Sequence, residues 1–404
     1  MPAAPTAGAV RRRGGRLFAR PPRAGAGPGA GALRTLPDPR PPTPMPAPLR
    51  AAILGATGAV GQTFVRLLSR HPGFEIASLV ASERSAGKPY RDAARWLQAE
   101  PLADAVGETV VEGVGAAPDV DVVFSGLDAA VAGDVEADWA RRGYAVVSNA
   151  RNHRMDPAVP LLIPEVNPDH LALVDRQSWG DSGGFVVTNP NCSTVGLAMA
   201  LKPLHDAFGV EAVHVVTMQA LSGAGYPGVP SLDALGNVVP HIGGEEEKMA
   251  VETRKILGTL GPDGVADAQV VVSAQCHRVP VVDGHMEAVS VRLAAPASAA
   301  EAAEALRSWR SPLAGRGLHT SPPTPVLVTD DPAAPQPRTH VHLGDGMTVT
   351  VGRVQGCPAI APDGRGVKFV VLSHNTVRGA AGGAILNAEL LAAEGRIGRR
   401  ALAA

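Results

Sequence analysis

The sequence predicts an α/β protein in which a doubly wound parallel sheet is followed by an α+β domain with a mixed or antiparallel sheet. In residues 50–150, short apolar strands alternate with helices, the rhythm typical of a parallel sheet. From about Phe185, long strand-like runs follow one another with fewer helices between them. A chain of 404 residues, 45% hydrophobic and 19% charged, is long enough to build two such cores.

The first domain begins with the stretch RAAILGATGAVGQTFVRLLSRH, which predicts a strand, a Gly-rich turn and an amphipathic helix. Val60, Phe64, Leu67 and Leu68 recur at helical spacing along that helix. FEIASLVAS then predicts a second strand, DVDVVFSGLD a third, and WARRGYAVVSNA a helix end and a fourth. Doubly wound sheets bind ligands at the carboxyl ends of their strands, where these turns of small residues fall.

The second domain contains the runs VEAVHVVTMQAL, AQVVVSAQC, HMEAVSVRL and GMTVTVGRV, which predict its long strands. The last stretch, KFVVLSHNTVRGAAGGAILNAELLAA, returns to a strand, a turn and an Ala-rich helix. We expect that helix to pack back on the first domain. The predicted division is a tail at 1–49, a Rossmann-like domain at 50–184, a catalytic and dimerisation domain at 185–373, and a C-terminal helix at 374–404.

Charge and cysteine content point to a soluble protein with small-molecule partners. The net charge of −1 gives no global field for nucleic acid or an acidic membrane. The three cysteines, Cys192, Cys276 and Cys357, lie far apart without CxxC spacing, which argues against a zinc ribbon or a disulfide scaffold. We expect a reducing compartment, no metal, and no membrane-spanning helix.

The first 50 residues differ from the rest, with nine arginines, twelve of the 37 prolines and a single acid, Asp38. Such a segment cannot pack a core. We expect either a disordered tail or an upstream extension of a chain that naturally starts at Met45. A transit peptide is the alternative, although such peptides are normally rich in serine, which is lacking here. The cytoplasm is therefore the expected compartment, and an organelle the alternative.

Glycines at the first strand–helix turn predict a dinucleotide site. Gly55, Gly58 and Gly61 are spaced GxxGxxG after a strand and into a helix, so backbone N–H groups and the helix N-terminus can face a phosphate. The alternative is an ordinary tight turn. The cofactor-binding residues predicted at this edge of the sheet are Gly55, Thr57, Gly58, Ala59, Val60, Gly61, Ser125 and Gly126.

The end of the second strand indicates which dinucleotide is bound. An acid at this position favours the ribose 2′-hydroxyl of NAD, whereas hydroxyls and cations favour the 2′-phosphate of NADP. The sequence here is ASERSAGK, in which Ser82, Arg84, Ser85 and Lys88 outnumber Glu83. We therefore predict NADP. The alternative is a solvated charged loop.

Cys192, in the stretch NPNCSTVG, is the candidate nucleophile. Unpaired N–H groups and the dipole at the start of a helix would stabilise its thiolate, although a free cysteine is by default a small buried apolar residue. The stretch CHRVPVVDGHMEAVSV supplies the partners. His285, at the start of a period-2 strand, is the candidate base, and His277 an ordinary strand residue. A hairpin-like turn between Arg278 and His285 would bring Arg278 to the same pocket, where its guanidinium could bind a carboxylate through two hydrogen bonds.

A series of motifs now identifies a family resemblance. GATGAVG, SNARNHRMDPAVPLLIPEVNP, NPNCSTVG, QALSGAGYPGV, GGEEEKMAVETRKIL, RVPVVDGH and LSHNTVRGAAGGAILNAELL occur in this order. Together they resemble aspartate-β-semialdehyde dehydrogenase, particularly its archaeal and fungal branch, over about residues 50–400. The resemblance implies NADP-dependent reductive dephosphorylation of 4-phospho-L-aspartate to L-aspartate-4-semialdehyde through a cysteine thioester, in lysine, threonine and methionine biosynthesis.

The resemblance also implies roles for individual residues. Cys192 matches the nucleophile, His285 the acid/base and Gln219 the residue that orients the acyl group. For the substrate, it implies that Arg278 binds the α-carboxylate, that Glu245 binds the α-ammonium, and that phosphate is held by Lys248, Arg154 and Asn191. It adds Ser222, Gly223 and Asn375 to the cofactor-binding residues.

Other functions use the same Cys/His chemistry. A malonyl- or succinyl-CoA reductase has no need of an acid for an ammonium group, and an N-acetylglutamyl-phosphate reductase must accept an acylated amine. An NADP-sensing protein without activity would be expected to lack the nucleophile and the base.

The stretch EEEKMAVETRK also has the pattern of a solvated helix with charge pairs. We therefore expect its exposed side to carry Glu246, Glu247, Glu252 and Arg254. We expect a homodimer or homotetramer.

Overall fold

The computed structural model describes residues 47–398, so the tail predicted at 1–49 lies almost entirely outside the described residues. The first sheet is six-stranded and wholly parallel, with the order β3-β2-β1-β4-β5-β6. Its strands are β1 (Leu49–Leu54), β2 (Phe74–Ala81), β3 (Glu112–Gly113), β4 (Val122–Ser125), β5 (Ala145–Ser148) and β6 (Phe185–Thr188). This is the predicted doubly wound sheet.

The second sheet is also six-stranded, with the order β10-β7-β11-β14-β13-β12. Its strands are β7 (Val210–Gln219), β10 (Val271–Arg278), β11 (His285–Leu293), β12 (Val326–Thr329), β13 (Val349–Gly356) and β14 (Gly366–Ser373). β7 runs parallel to β10 and antiparallel to β11, so the predicted mixed sheet is confirmed. A two-stranded ribbon is formed by β8 (Thr259–Gly261) and β9 (Gly264–Ala266).

Ten α-helices connect and cover the sheets in the described part of the chain. They are α1 (Ala59–Leu68), α2 (Tyr90–Ala93), α3 (Asp104–Gly107), α4 (Ala129–Arg141), α5 (Cys192–Phe208), α6 (Ser231–Ala234), α7 (Glu245–Ile256), α8 (Ala299–Ser308), α9 (Pro337–His340) and α10 (Gly382–Ala393). A short π-helical turn, Val377–Ala381, precedes α10. None of the helices in residues 47–398 is long and apolar enough to cross a membrane.

The predicted boundary between 184 and 185 is wrong. β6, whose residues were assigned to the second domain, pairs in parallel with β5 and completes the first sheet. Its sequence, FVVT, is buried along its whole length, as is typical of a strand covered on both faces. A short buried run of this kind carries no sign of which sheet it joins. The second sheet therefore begins only after α5.

The connection from β10 to β11 also differs from the expected hairpin. Both strands flank β7, so residues 279–284 cross the end of β7 instead of turning back on a neighbouring strand. His285 consequently lies at the start of a central strand and is fully buried. The crossing brings the ends of three strands, with Arg278, Gln219 and His285, to one place.

The C-terminal helix α10 belongs to the core of the first sheet. Leu386 and Leu390 are buried in the same apolar cluster as Phe64 and Phe124. A second cluster joins α5, through Leu197 and Leu201, to the inner face of the second sheet. α5 and α10 are therefore held by two different cores.

Candidate active site

Cys192 is the first residue of α5, and Asn191 caps that helix. The side-chain Oδ1 of Asn191 accepts hydrogen bonds from the N–H groups of Ser193 at 2.9 Å and Thr194 at 3.4 Å. An Asn in this position satisfies donors that the helix itself cannot pair. The expectation of several unpaired N–H groups beside Cys192 is therefore wrong for Ser193 and Thr194.

The backbone of Gly379 packs directly on Cys192, a contact that no sequence pattern indicates. A Cβ atom at Gly379 would lie 2.8 Å from Cα and Cβ of Cys192, so no larger residue fits without displacement. Gly379 belongs to the π-helical turn before α10, and Arg378 anchors that turn through a buried two-point ion pair with Glu165, at 2.5 and 2.7 Å. π-helical turns recur at functional sites.

His285 is the side chain that faces the thiol. Its Nε2 lies 3.3 Å from Sγ of Cys192, and its Nδ1 accepts the N–H of Ala220 at 3.1 Å. Because Nδ1 accepts, the proton of the neutral ring is on Nε2 and points to sulfur. To take the thiol proton, the ring would first have to release the Ala220 hydrogen bond. In this geometry His285 is a hydrogen-bond donor.

Both members of the pair are neutral at rest. Burial raises the pKa of Cys192 to about 12, with a further rise from Glu245 and opposing effects of Arg154, Arg278 and Lys248. Burial lowers the pKa of His285 to about 3, assisted by the positive Arg278 and by His374. Although Cys192 is only half-buried by its accessible surface, the surrounding protein desolvates the thiol. The expectation of a thiolate stabilised at rest is therefore not met.

Glu245 and Lys248, predicted to bind opposite charges of the substrate, are paired with each other. Lys248 Nζ lies 2.7 Å from Glu245 Oε1, while Glu245 Oε2 accepts from Asn191 Nδ2 at 2.8 Å and weakly from Gln219 Nε2 at 3.5 Å. Burial alone would raise the pKa of Glu245, but Lys248 and these two amides lower it below its usual value. Glu245 is therefore an anion at neutral pH.

Arg278 is another charged residue close to Cys192. It is the last residue of β10 and pairs in register with Gln219 at the end of β7. Its Nη1 donates to the carbonyl of Ala220 at 2.7 Å, and its other side-chain donors have no partner in the part of the chain that the structure describes, so they can bind a carboxylate. The same Ala220 peptide thus holds Arg278 by its oxygen and His285 by its N–H.

Glu252 contradicts the expectation of a solvated residue. It is only 2% exposed, and its carboxylate binds Arg154 Nη1 at 2.9 Å and the backbone N–H of Asn191 at 2.7 Å. Arg154 is also held by the carbonyl of Asn149, at 2.6 Å. Helical charge pairing indicated an exposed face, but the true partner of Glu252 lies 98 residues away. Glu246 and Arg254 are half-buried, so of the four residues expected on the exposed side only Glu247 is exposed.

The side chain of Asn191 has protein partners at both ends in this arrangement. Its oxygen caps α5 and its nitrogen binds Glu245. The role of Asn191 in holding phosphate therefore stays a prediction, as does that of Arg154.

The turn between β1 and α1 has the shape that a dinucleotide phosphate requires. Gly55 has a φ of +73°, which only glycine adopts at little cost. A Cβ at Gly61 would lie 2.1 Å from the Gly55 carbonyl oxygen. Within residues 47–398 no side chain caps α1 at Gly58, so N–H groups at its N-terminus can face an anion. Gly126, after β4, lies directly against Gly55.

The remaining predicted cofactor residues are divided between two places. Ser82, Arg84 and Lys88 are exposed, and Ser85 is half-buried, on the turns that follow β2. Across the site, Asn375 Nδ2 donates to Ser222 Oγ at 2.8 Å, and its Oδ1 accepts the N–H of Gly284. A Cβ at Gly223 would lie 2.9 Å from the His285 ring.

Ser125 differs from this prediction. Its hydroxyl donates to the buried carboxylate of Glu136 at 2.6 Å, so its side chain faces into the domain and a ligand could meet only its backbone. The sequence places a serine at the right strand end but does not reveal its buried acceptor. Among residues 47–398, no group of three His, Cys, Asp or Glu side chains could hold a metal ion.

Two family profiles match the chain. The semialdehyde dehydrogenase NAD-binding domain matches residues 50–174, and the semialdehyde dehydrogenase dimerisation domain matches residues 201–378. A curated relative, aspartate-semialdehyde dehydrogenase of Methanothermobacter thermautotrophicus, is 48% identical over 349 residues, covering 85% of this chain and 99% of the relative.

Two solved structures are similar as well. The aspartate semialdehyde dehydrogenase of Candida albicans, crystallised with NADP, has 44% identity and a TM-score of 0.79, covering 86% of this chain and 99% of its own. Aspartate semialdehyde dehydrogenase II of Vibrio cholerae, complexed with ASA, has 28% identity and a TM-score of 0.68, covering 85% of this chain and 98% of its own.

Proposed function

This chain belongs to the aspartate-semialdehyde dehydrogenase family, and on that premise we propose that its reaction proceeds through a thioester on Cys192. The reaction is the NADP-dependent reductive dephosphorylation of 4-phospho-L-aspartate to L-aspartate-4-semialdehyde, a step in amino-acid biosynthesis. The observation that carries the assignment of residues is the Cys192–His285 contact of 3.3 Å, flanked by Arg278 and Glu245.

The sulfur of Cys192 attacks the acyl carbon, and phosphate leaves from the tetrahedral adduct. As the carbon–sulfur bond forms and the bond from the acyl carbon to the phosphate oxygen breaks, the thiol proton passes to the departing phosphate, which leaves as hydrogen phosphate. His285 stabilises the developing negative charge through its Nε2–H, first on sulfur and then on the acyl oxygen. Because the N–H groups of Ser193 and Thr194 already bind Asn191, the N–H of Cys192 is the proposed backbone donor to that oxygen.

The residues of the first domain fit the cofactor. Gly55 in its left-handed conformation, the crowded Gly61 and the start of α1, which no side chain in residues 47–398 caps, form a cradle that added side chains would fill. Arg84 and Lys88 would meet the 2′-phosphate. NADPH, when bound, supplies the hydride that reduces the thioester. Collapse of the reduced adduct then returns Cys192, with His285 donating to the oxygen until the carbonyl forms.

The charges around Cys192 fit an amino acid that carries an acyl phosphate. Arg278 would bind the α-carboxylate and Glu245 the α-ammonium, while Lys248 and Arg154 would bind phosphate. Since Lys248 and Glu245 form an ion pair at 2.7 Å before substrate arrives, binding exchanges one internal pair for two pairs with the substrate. The site thus avoids an uncompensated buried charge in either state.

Replacing Glu245 by glutamine is expected to separate ammonium recognition from chemistry. We expect kcat/KM for aspartate semialdehyde to fall about 10²-fold, because a buried amide cannot replace the charge that pairs with ammonium. Succinic semialdehyde lacks the ammonium group, so its kcat/KM should change much less. Glu247→Gln, the same change on the exposed side of α7, is the matched control. Equal losses for both aldehydes would contradict the role of Glu245.

We propose that the chain forms a homodimer through the open face of the second sheet. The side chains of Val216, Met218, Met286, Ala288 and Val370 alternate with buried residues and lie on the face opposite α5, half-buried or exposed. Apolar side chains grouped in this way are typical of subunit interfaces. The match of residues 201–378 to a dimerisation domain supports the proposal.

The dimer is tested by light scattering on the full chain and on Val216→Asp with Ala288→Lys. We expect a mass of two chains for the unchanged protein and a mass closer to one chain for the variant. A monomer, or a tetramer that the variant leaves intact, would contradict the proposed surface.

We also propose the cytoplasm as the compartment, because a reducing compartment suits three free cysteines. Localisation of the tagged chain to an organelle would contradict this proposal.

A further inference from the structure

We propose that Glu252 and Lys255, on the buried face of α7, are positioning residues that fix the loop carrying Arg154 against the start of the nucleophile helix. The inference rests on the proposed function, because it takes Arg154 as a ligand of phosphate. Within residues 47–398 the hydrogen bonds of both side chains go to Arg154, to the backbone of Asn191 and to the backbone of the Arg154 loop, and none goes to the thiol. Their effect is transmitted through Arg154 and through the backbone of Asn191.

Glu252 joins two segments that are distant in sequence. One carboxylate oxygen accepts from Arg154 Nη1 at 2.9 Å, and the other accepts from the backbone N–H of Asn191 at 2.7 Å. Asn191 immediately precedes Cys192, so a single carboxylate sets the relative position of the guanidinium and the nucleophile. A carboxylate accepts both donors, whereas the one oxygen of an amide group accepts only one of them well.

The side chain of Lys255 binds the backbone of the same loop. Its Nζ donates to the carbonyls of Arg154 and Asp156 at 2.7 Å and of Val159 at 2.9 Å. All three donors of the ammonium group are therefore used within one short segment. Lys255 is only 4% exposed, and a buried lysine without such acceptors would be strongly destabilising.

The placement of these residues on α7 explains why they matter for phosphate. Glu245 and Lys248, in the first turns of the helix, face the site, and Glu252 follows Glu245 by two helical turns on the same side. The helix therefore carries Lys248 directly and carries Arg154 through Glu252 and Lys255. The positions of both cations proposed to bind phosphate, Lys248 and Arg154, are therefore set by one helix, α7.

Loss of the Glu252 charge should weaken phosphate binding specifically. In Glu252→Gln, Arg154 loses its charged partner and faces an amide N–H₂, so the guanidinium leaves its fixed position. In the direction of semialdehyde oxidation, phosphate is a substrate, and its KM can be measured separately. We expect KM for phosphate to rise about 10-fold, in line with the loss of one oriented charged hydrogen bond, while KM for the semialdehyde changes less than about 2-fold.

Glu247→Gln is the matched control, because Glu247 is exposed on the same helix; it should leave both KM values unchanged. Arg154→Gln and the double variant with Glu252→Gln complete a mutant cycle. If Glu252 acts through Arg154, its substitution should add little to KM for phosphate once Arg154 is gone. The double variant also removes the unpaired buried charge, so it tests the proposal if Glu252→Gln alone folds poorly.

The outcomes separate this inference from the function on which it rests. A raised phosphate KM in Arg154→Gln with an unchanged or lowered one in Glu252→Gln overturns the positioning role alone. Additive effects in the double variant overturn it as well. An unchanged phosphate KM in Arg154→Gln overturns the assignment of Arg154 to phosphate, and the inference falls with it.

Discussion

Cys192→Ser is expected to lower kcat for phosphate-dependent oxidation of aspartate semialdehyde by about 10⁴-fold, an effect of the size that follows loss of a covalent nucleophile. A serine hydroxyl is a poorer nucleophile than a thiol. It would also have no base beside it, because Nε2 of His285 already carries a proton in the observed geometry. The side chains differ by a single atom, so the packing of Gly379 on residue 192 should be kept.

The comparison variant for this prediction is Cys357→Ser. Cys357 is buried away from the site, with Sγ near Ser290 Oγ, so the same substitution there should leave kcat nearly unchanged. Binding of NADP and the thermal unfolding temperature, measured for both variants, show whether the fold and the cofactor site are intact. A Cys192→Ser protein that binds NADP and keeps more than a few per cent of turnover would rule out Cys192 as the nucleophile.

His285→Ala should give the second largest loss, about 10³-fold in kcat, within the range for loss of a positioned proton donor. His285→Gln should lose clearly less, because a glutamine amide can still donate a hydrogen bond towards sulfur or the acyl oxygen. The difference follows from the Ala220 N–H on Nδ1, which makes His285 a donor at Nε2. kcat is measured for both variants at saturating substrates and neutral pH.

The same pair distinguishes a donor from a base. A base must accept a proton at Nε2, and a glutamine amide cannot do so, so equal losses in His285→Ala and His285→Gln would show that proton abstraction dominates. Binding of NADP is measured for both variants, because the ring lies close to Gly223, a predicted cofactor-binding residue, as well as to Cys192 and Ala220. Loss of NADP binding in either variant would mean that its kcat reports the fold instead of the chemistry.

Local sequence predicted the parts of the fold whose causes are local. The apolar run of β1, the glycines after it and the helical spacing from Val60 to Leu68 lie within about one unit of strand, turn and helix. Their structure follows from backbone geometry, with Gly55 at positive φ and Gly61 at a crowded approach. The start of α5 at Cys192 was predictable for the same reason.

Contacts between distant segments were not predictable in this way. Arg154 and Glu252 are 98 residues apart and Arg378 and Glu165 are 213 apart, and neither pair has a sequence spacing that marks it. The charge pattern of α7 described a plausible solvated helix, and only the position of α7 beneath the Arg154 loop makes Glu252 buried. The assignment of β6 to the second domain was wrong for a related reason, since a buried run of four residues, FVVT, does not specify the sheet that it joins.

The charge state of the site was also beyond the sequence. A cysteine at a helix start suggests a stabilised anion, but the Asn191 cap removes two of the expected N–H donors, and burial raises the pKa of Cys192 to about 12. The desolvation of a side chain depends on everything packed around it. Residue types near position 192 therefore predict a nucleophile at Cys192 but do not reveal the protonation state of its thiol.

The proposed reaction is tested most directly by mixing the full chain with L-aspartate-4-semialdehyde and NADP⁺, with and without phosphate, and measuring the appearance of NADPH. Parallel samples replace phosphate by coenzyme A and NADP⁺ by NAD⁺. We predict turnover that requires phosphate and is faster with NADP⁺ than with NAD⁺. Turnover that is absent in a folded, NADP-binding sample, or that occurs only with coenzyme A, would contradict it.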